Sequence, residues 1–354
     1  MATLTQNTVS VEDAFALVIE RVKLKQATML WGDVGIGKSD LIRQVAAWLK
    51  ANYWPGTANT PHPCYRVFIG SIKQPVDLMG LPVPDFESKT TVWLRPDDLP
   101  RVDRDGEYGI LFLDEINTSA PSMQAAMFQL VLERRIGDHY LPDGWVIVAA
   151  GNRVTDRAAA QRMPSALRNR FGHFTLVPTV EGWEKWAKDR DIDQWYIAFL
   201  KFRKELLHQS PKTDDVNAFP TPRSHAAASK YINHPAALRQ RLVAADIGEG
   251  AAGELETFLR LNKEGNCPSL AEILADPEKA RVPEQPGGKY AVAVLLSRSV
   301  DRDNLATLLK YAKRLGREYE TLTVVDTIKR QPDIRHTEEF VQWAVANQDI
   351  RITS

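Results

Sequence analysis

Two hydrophobic periodicities alternate along the first half of the chain, and only one persists afterwards. "VEDAFALVIERVK" (11–23) carries apolar positions at helical spacing with acids in its first turn, which predicts a helix. "ATMLWG" is a short apolar run stopping at glycine, the pattern of a buried strand, and "KSDLIRQVAAWLKANY" is helical again. "YRVFIGSI" predicts another strand. Between Pro82 and Pro100 prolines and aspartates interrupt the pattern, with a hairpin expected around "ESKTTVWL". "YGILFLDEI" is an apolar run closing on two acids, and "SMQAAMFQLVLERR" an amphipathic helix. "RIGDHYLPDG" predicts a hairpin with Gly137-Asp138 in its turn, and "WVIVAAGN" and "HFTLVP" are further apolar runs.

Short apolar strands alternating with helices predict an α/β fold, a parallel sheet with helices on both faces. After about Thr179 the strands stop. Helical patches follow, separated by "QSPKTDDVN", "NKEGNCPS" and "PEQPGGK". The expected organisation is an α/β domain over 1–179 with inserted hairpins, then an all-helical domain over 180–354, whose part beyond about 262 is assigned only as helical packing. A chain of 354 residues is too long for one ordinary core, which agrees with two domains.

Composition narrows the classes of function. With 44% hydrophobic and 25% charged residues the chain is that of a globular protein. Its formal net charge of zero gives no overall pull toward nucleic acid or an anionic membrane. "MATLTQNTVSVEDAF" lacks a basic region followed by an apolar stretch, and "WVIVAA" is too short to span a bilayer. Cys64 and Cys267 lie far apart and form no disulfide framework, so a cytoplasmic location is expected. His62-Pro63-Cys64 has no second ligand pair at metal-binding spacing and is read as a plain loop.

The candidate chemistry begins at Gly32-Asp33-Val34-Gly35-Ile36-Gly37-Lys38-Ser39, between a predicted strand and a predicted helix. That context is required of a phosphate-binding loop. Glycines let the backbone approach a polyphosphate, and successive N–H groups with the helix N-terminus face its oxygens. Lys38 would reach the β- and γ-phosphates, and Ser39 would offer its hydroxyl to Mg²⁺. Asp114 and Glu115 end an apolar strand, where open α/β sheets bind ligands. Asp114 is the candidate metal holder and Glu115 the group that orients or deprotonates the attacking water. Asn152 ends the next strand and could contact that water or the γ-phosphate.

Taken in order with the arginines of "PSALRNRF", these features resemble an AAA+ ATPase, and more closely its MoxR branch with the NorQ and CbbQ relatives. "LFLDEIN", "PSMQAAMFQLVLERRI", "VIVAAGNR", "ALRNRF" and "PTPRS" follow one another as in that group, and "QPVDLMGLPVPD" resembles its insertion after the second strand. The resemblance runs from Val11 to about Arg260. It implies Walker roles for Lys38, Ser39, Asp114 and Glu115, and a sensor role for Asn152. It also implies an arginine finger at Arg170, with Arg168 as the alternative, and a second sensor at Arg223 on a helical lid. It further implies ATP and Mg²⁺ as cofactors, a ring of like subunits, expected to be hexameric, and a chaperone-like action on a partner with a von Willebrand A domain. The aromatic-hydrophobic-glycine pore loop of the unfoldases is absent; Trp93 and Tyr140 are candidate contact aromatics or satellite core. An AAA+ nucleic-acid motor and an ATP-dependent scaffold with little turnover are the alternative readings.

Overall fold

The computed structural model describes residues 7–152, 163–211, 217–262 and 267–348. The chain divides into two compact units, 1–182 and 183–354. The separators "QSPKTDDVN" and "NKEGNCPS" lie partly outside the described residues.

In the first unit the strands are β1 (Thr8–Ser10), β2 (Thr28–Trp31), β3 (Tyr65–Ile69), β4 (Leu81–Asp85), β5 (Thr90–Leu94), β6 (Tyr108–Asp114), β7 (Arg135–Ile136), β8 (His139–Tyr140), β9 (Gly144–Gly151) and β10 (Gly172–Val177). The helices are α1 (Val11–Lys23), α2 (Lys38–Asn52), α3 (Pro75–Met79), α4 (Val102–Asp105), α5 (Pro121–Glu133) and α6 (Ser165–Arg168). Six strands form one parallel sheet in the order β1-β10-β2-β9-β6-β3.

The sheet is covered on both faces, which is why its strands read as unbroken apolar runs. Alternate residues point to opposite faces of a strand. Val146, Val148 and Ala150 of β9 join one core cluster with residues of α1 and α2, such as Val18 and Ile42. Trp145, Ile147 and Ala149 join the other, with Met123 and Met127 of α5 and Leu167 of α6. β1, pairing with β10 at the sheet edge, was not anticipated; three residues are too few to show a period.

The stretch from Pro82 onward forms a ribbon of β4 and β5 despite its prolines. Pro82 and Pro84 are two apart and therefore share one side of the strand, where a strand without a second neighbour needs no donor. β7 and β8 form the second hairpin. Leu81, Phe86, Trp93 and Tyr140 on these hairpins are exposed. Trp93 and Tyr140 are thus surface aromatics rather than satellite core.

Among its described residues the second unit contains helices and no strand. These include α7 (Val180–Lys188, whose first turn lies across the unit boundary), α8 (Gln194–Phe202), α9 (Pro222–Ala228), α10 (Ala236–Ile247), α11 (Glu249–Asn262), α12 (Leu270–Ala275), α13 (Pro286–Ser299), α14 (Leu305–Leu315), α15 (Arg317–Arg330) and α16 (Glu338–Ala346). "PEQPGGK" is not wholly a separator. Proline suits the first helical position, and α13 starts at Pro286 with Gly287 and Gly288 buried. Thr221 caps α9 in a reciprocal box with Ser224, and Pro222 opens the helix. His225 of α9 is fully buried: its Nε2 lies 2.7 Å from the Leu206 carbonyl and its Nδ1 2.9 Å from the Tyr196 hydroxyl.

Candidate nucleotide site

The glycine-rich stretch turns from the end of β2 into α2. Gly35 and Gly37 have φ of 78° and 97°, values favouring glycine, and no neighbour crowds the position a Gly37 side chain would take. A Cβ at Gly32 would lie 2.4 Å from Ile36 Cδ1 and 3.0 Å from the Leu176 carbonyl oxygen, so the Ile36 side chain would have to move. Gly37 caps α2 without a side-chain bond, so the first N–H groups of a 15-residue helix face the loop. Asp33 is half-buried, Val34 exposed and Ile36 buried in the core. The Lys38 ammonium lies within the turn, donating to the carbonyls of Gly32 at 2.5 Å and Asp33 at 2.8 Å and to Asn152 Oδ1 at 2.9 Å.

At the end of β6 the chain turns sharply. Glu115 is a non-glycine residue with φ of 53°. Such a conformation costs roughly 1–2 kcal/mol and persists where the surroundings over-determine it. Here its carbonyl accepts from the Thr118 N–H at 3.1 Å, the Thr118 hydroxyl at 2.9 Å and the Ser119 hydroxyl at 3.1 Å. Its own N–H donates to Asp114 Oδ1 at 3.0 Å. The turn leaves Asp114 half-buried and Glu115 exposed, with the Ser71 hydroxyl donating to Glu115 Oε2. Asp114 Oδ2 accepts from the Ser39 hydroxyl at 2.7 Å. A hydroxyl and a carboxylate in contact are the hard oxygen donors a small divalent cation prefers, so this pair fits Mg²⁺. Beside them, burial pushes the Tyr65 phenol up to about 12; Arg43 opposes the rise, and Asp114 and Asp40 add to it.

Asn152 is held at the end of β9 by a residue the sequence did not flag. Asn117, fully buried, donates to the Asn152 carbonyl at 2.6 Å and accepts from its N–H at 3.2 Å. Ile116 donates to Ala150 O at 3.1 Å and Gly32 to Gly151 O at 3.3 Å, so the three strand ends are stitched together. Nothing in "DEIN" separates a clasp from an ordinary turn asparagine; the adjacent strand order has to be known first. Ser71, too, acquires meaning only because β3 lies next to β6.

Lys38, Ser39, Asp114, Glu115 and Asn152 therefore converge at one edge of the sheet, and Arg170 does not join them. It precedes the first residue of β10, whereas the loop, the acid pair and Asn152 lie at or beyond the C-terminal ends of β2, β6 and β9. Gly172 is level with Thr28 and Thr175 with Trp31, which places Arg170 about two residues before β2 begins. At 3.3 Å per residue, Arg170 is roughly 20 Å along the strands from the level of Gly32. α6 ends at Arg168, so Arg168 is the last helical residue and Arg170 sits in the following turn. Both are exposed, and neither forms an ion pair among the described residues. Arg223 is exposed in the first turn of α9.

Residues 27–171 match the family model described as AAA domain, dynein-related subfamily. The chain is similar to the protein MoxR of Methylorubrum extorquens, 29% identical over 152 residues, which cover 40% of this chain and 38% of that protein's length. Among solved structures it is similar to the RuvB Holliday junction branch migration motor of Thermotoga maritima, at 19% identity over 86% of this chain and 87% of that one, with a TM-score of 0.38. It is also similar to Hsp104 solved in a closed state with ATPγS and FITC casein, at 16% identity over 73% of this chain and 45% of that one, with a TM-score of 0.39.

Proposed function

We propose that residues 27–171, which match an AAA domain model and resemble MoxR, form an AAA+ domain of the MoxR type, and that this protein hydrolyses ATP in a Mg²⁺-dependent reaction within a ring of identical subunits that remodels a partner protein. The observation that carries the reading is the convergence of Lys38, Ser39, Asp114, Glu115 and Asn152 from three neighbouring strand ends. Lys38 and the α2 N-terminus bind the phosphates. Ser39 and Asp114 would hold Mg²⁺, which neutralises charge on the phosphate oxygens when bound. Glu115, exposed and aimed by its left-handed turn, takes a proton from the attacking water, and Asn152 orients that water or the γ-phosphate.

The remaining requirement is cationic stabilisation of the charge that builds on the phosphoryl oxygens. Arg170 stands at the opposite edge of the sheet from its own loop, which supports its serving a neighbouring copy instead. A planar, permanently charged guanidinium suits that task. Arg223 serves as the second sensor, coupling the helical unit to nucleotide state. The exposed aromatics of the two hairpins, Phe86, Trp93 and Tyr140, support a surface used on a client. The family resemblance points to a client with a von Willebrand A domain and to six subunits, and the free Cys64 and Cys267 support a cytoplasmic location.

Phosphate release and light scattering test the reading together. ATP with Mg²⁺ is expected to drive assembly and steady release, and Arg170→Ala to assemble while releasing phosphate at least about tenfold more slowly. A monomer that hydrolyses ATP at a rate independent of protein concentration would overturn the ring.

A further inference from the structure

His173 connects the two edges of the sheet that the proposed reaction uses. Trp31 Nε1 lies 2.9 Å from His173 Nδ1, and His173 Nε2 lies 2.7 Å from the Arg168 carbonyl. An indole nitrogen only donates and a carbonyl only accepts. Both bonds therefore require the neutral imidazole, with its proton on Nε2. The ring lies nearly parallel to that of Trp31, 16° between planes with centroids 6.0 Å apart, and meets Phe171 edge-on at 6.4 Å. Trp31 is the last residue of β2, directly before Gly32 of the phosphate loop. The Arg168 carbonyl ends α6 and also accepts from the Phe171 N–H at 3.2 Å, closing the turn that carries Arg170.

The turn has few other restraints. Phe171 is buried in the core and Gly172 donates to Ala27 O at 3.0 Å, which fixes the start of β10. Asn169 and Arg170 between these anchors are exposed and bond only through backbone N–H groups to Ser165 and Leu167, among the described residues. Removing the His173 bond leaves α6, a single turn, held by the buried side chains of Met163, Leu167 and Phe171, with no polar tie from the Arg168 carbonyl to β2.

We propose that His173 is a positioning residue: it ties the turn bearing Arg170 to Trp31, so that the arginine offered to a neighbouring copy is aimed from the strand carrying this copy's own phosphate loop. The proposal rests on Arg170 serving the adjacent subunit. It makes His173 matter to the neighbour's reaction rather than to nucleotide binding in its own subunit.

Subunit mixing separates these possibilities. His173→Phe keeps an aromatic ring between Trp31 and Phe171 and removes both hydrogen bonds. Alone it is expected to turn over at least about fivefold more slowly than wild type, a loss of positioning, while binding a fluorescent ATP analogue within about twofold of wild type. Glu115→Gln subunits keep an intact Arg170 turn but cannot activate water. Random assembly of equal amounts is then expected to give about three tenths of wild-type turnover, roughly a quarter from sites that pair Glu115 with a sound arginine and about a twentieth from those that face a second His173→Phe copy, against about a tenth without complementation. His173→Gln can accept from Trp31 and donate to Arg168, and should restore more than half of the loss. Trp31→Phe breaks only the first bond and should slow turnover in the same sense. The parallel mixture of Arg170→Ala with Glu115→Gln is the control. If it fails to complement, the shared site falls and this proposal with it. If it complements while His173→Phe does not, or if His173→Phe and Trp31→Phe turn over like wild type, His173 does not position the arginine.

Discussion

Lys38 and Asn152 stand 114 positions apart in the chain and meet at 2.9 Å, ammonium to carboxamide oxygen. The contact joins the loop after β2 to the end of β9, while the Asn117 clasp fixes the Asn152 backbone from the side of the acid pair. The two residues should therefore separate binding from turnover. Lys38→Ala is expected to weaken nucleotide binding by more than about tenfold. Asn152→Ala should lower kcat by about 10- to 100-fold with nucleotide affinity within about threefold. Nucleotide titration and steady-state phosphate release check both.

The Ser39–Asp114 pair predicts a metal phenotype. Asp114→Asn keeps the shape and the bond from Ser39 but removes the charge. The Mg²⁺ concentration giving half-maximal turnover should rise by about tenfold or more, with ATP affinity in the absence of metal unchanged. A Mg²⁺ titration of the variant with its wild-type curve decides it.

Asn117 and Gly151 form one tight junction. A Cβ at Gly151 would lie 2.4 Å from Asn117 Oδ1 and 2.8 Å from Met29 Cε. Gly151→Ala is expected to cost about 1–3 kcal/mol of stability as neighbours shift. Asn117→Ala strands two backbone groups and should cost about 2–4 kcal/mol. Chemical denaturation of both variants measures the losses, and each should also lower kcat, because Asn152 moves with the junction.

His225 gives the helical unit an acid-sensitive point. Burial pushes its imidazole down from the usual value to about 4, against a smaller opposing effect of its bond to the Leu206 carbonyl. The folded state keeps it neutral where the unfolded chain already binds a proton. Stability from this group is thus complete above about pH 6.5 and declines as pH falls toward 4. The loss reaches about 3 kcal/mol, the free-energy equivalent of the shift. Protonation would turn Nδ1, which accepts from the Tyr196 hydroxyl, into a second donor. Unfolding curves between pH 7.5 and 4.5 should show this slope in wild type and its loss in a folded His225→Gln variant.

The sheet and the core of the site were legible because each depends on a local pattern. Four apolar residues before Asp114 require a strand covered on both faces, and Gly32 to Ser39 needs only its flanking strand and helix. What stayed hidden depends on pairing across long separations. The Asn117 clasp needs β6 beside β9, the Trp31–His173 bond needs β10 beside β2, and β1 is too short to announce itself. The bounds of α6 are equally hidden, because nothing in "SALRNRF" says where its helix ends. The helix stops at Arg168, where the chain must turn to bring Phe171 into the core and Gly172 to Ala27.

Phosphate release from the Glu115→Gln protein at saturating ATP and Mg²⁺ addresses the account most directly. The exchange leaves the side chain's size and its partner Ser71 in place and removes the base. The account predicts that turnover falls by about 100-fold or more while ATP still binds and subunits still assemble. Turnover equal to wild type in the same preparation would contradict it.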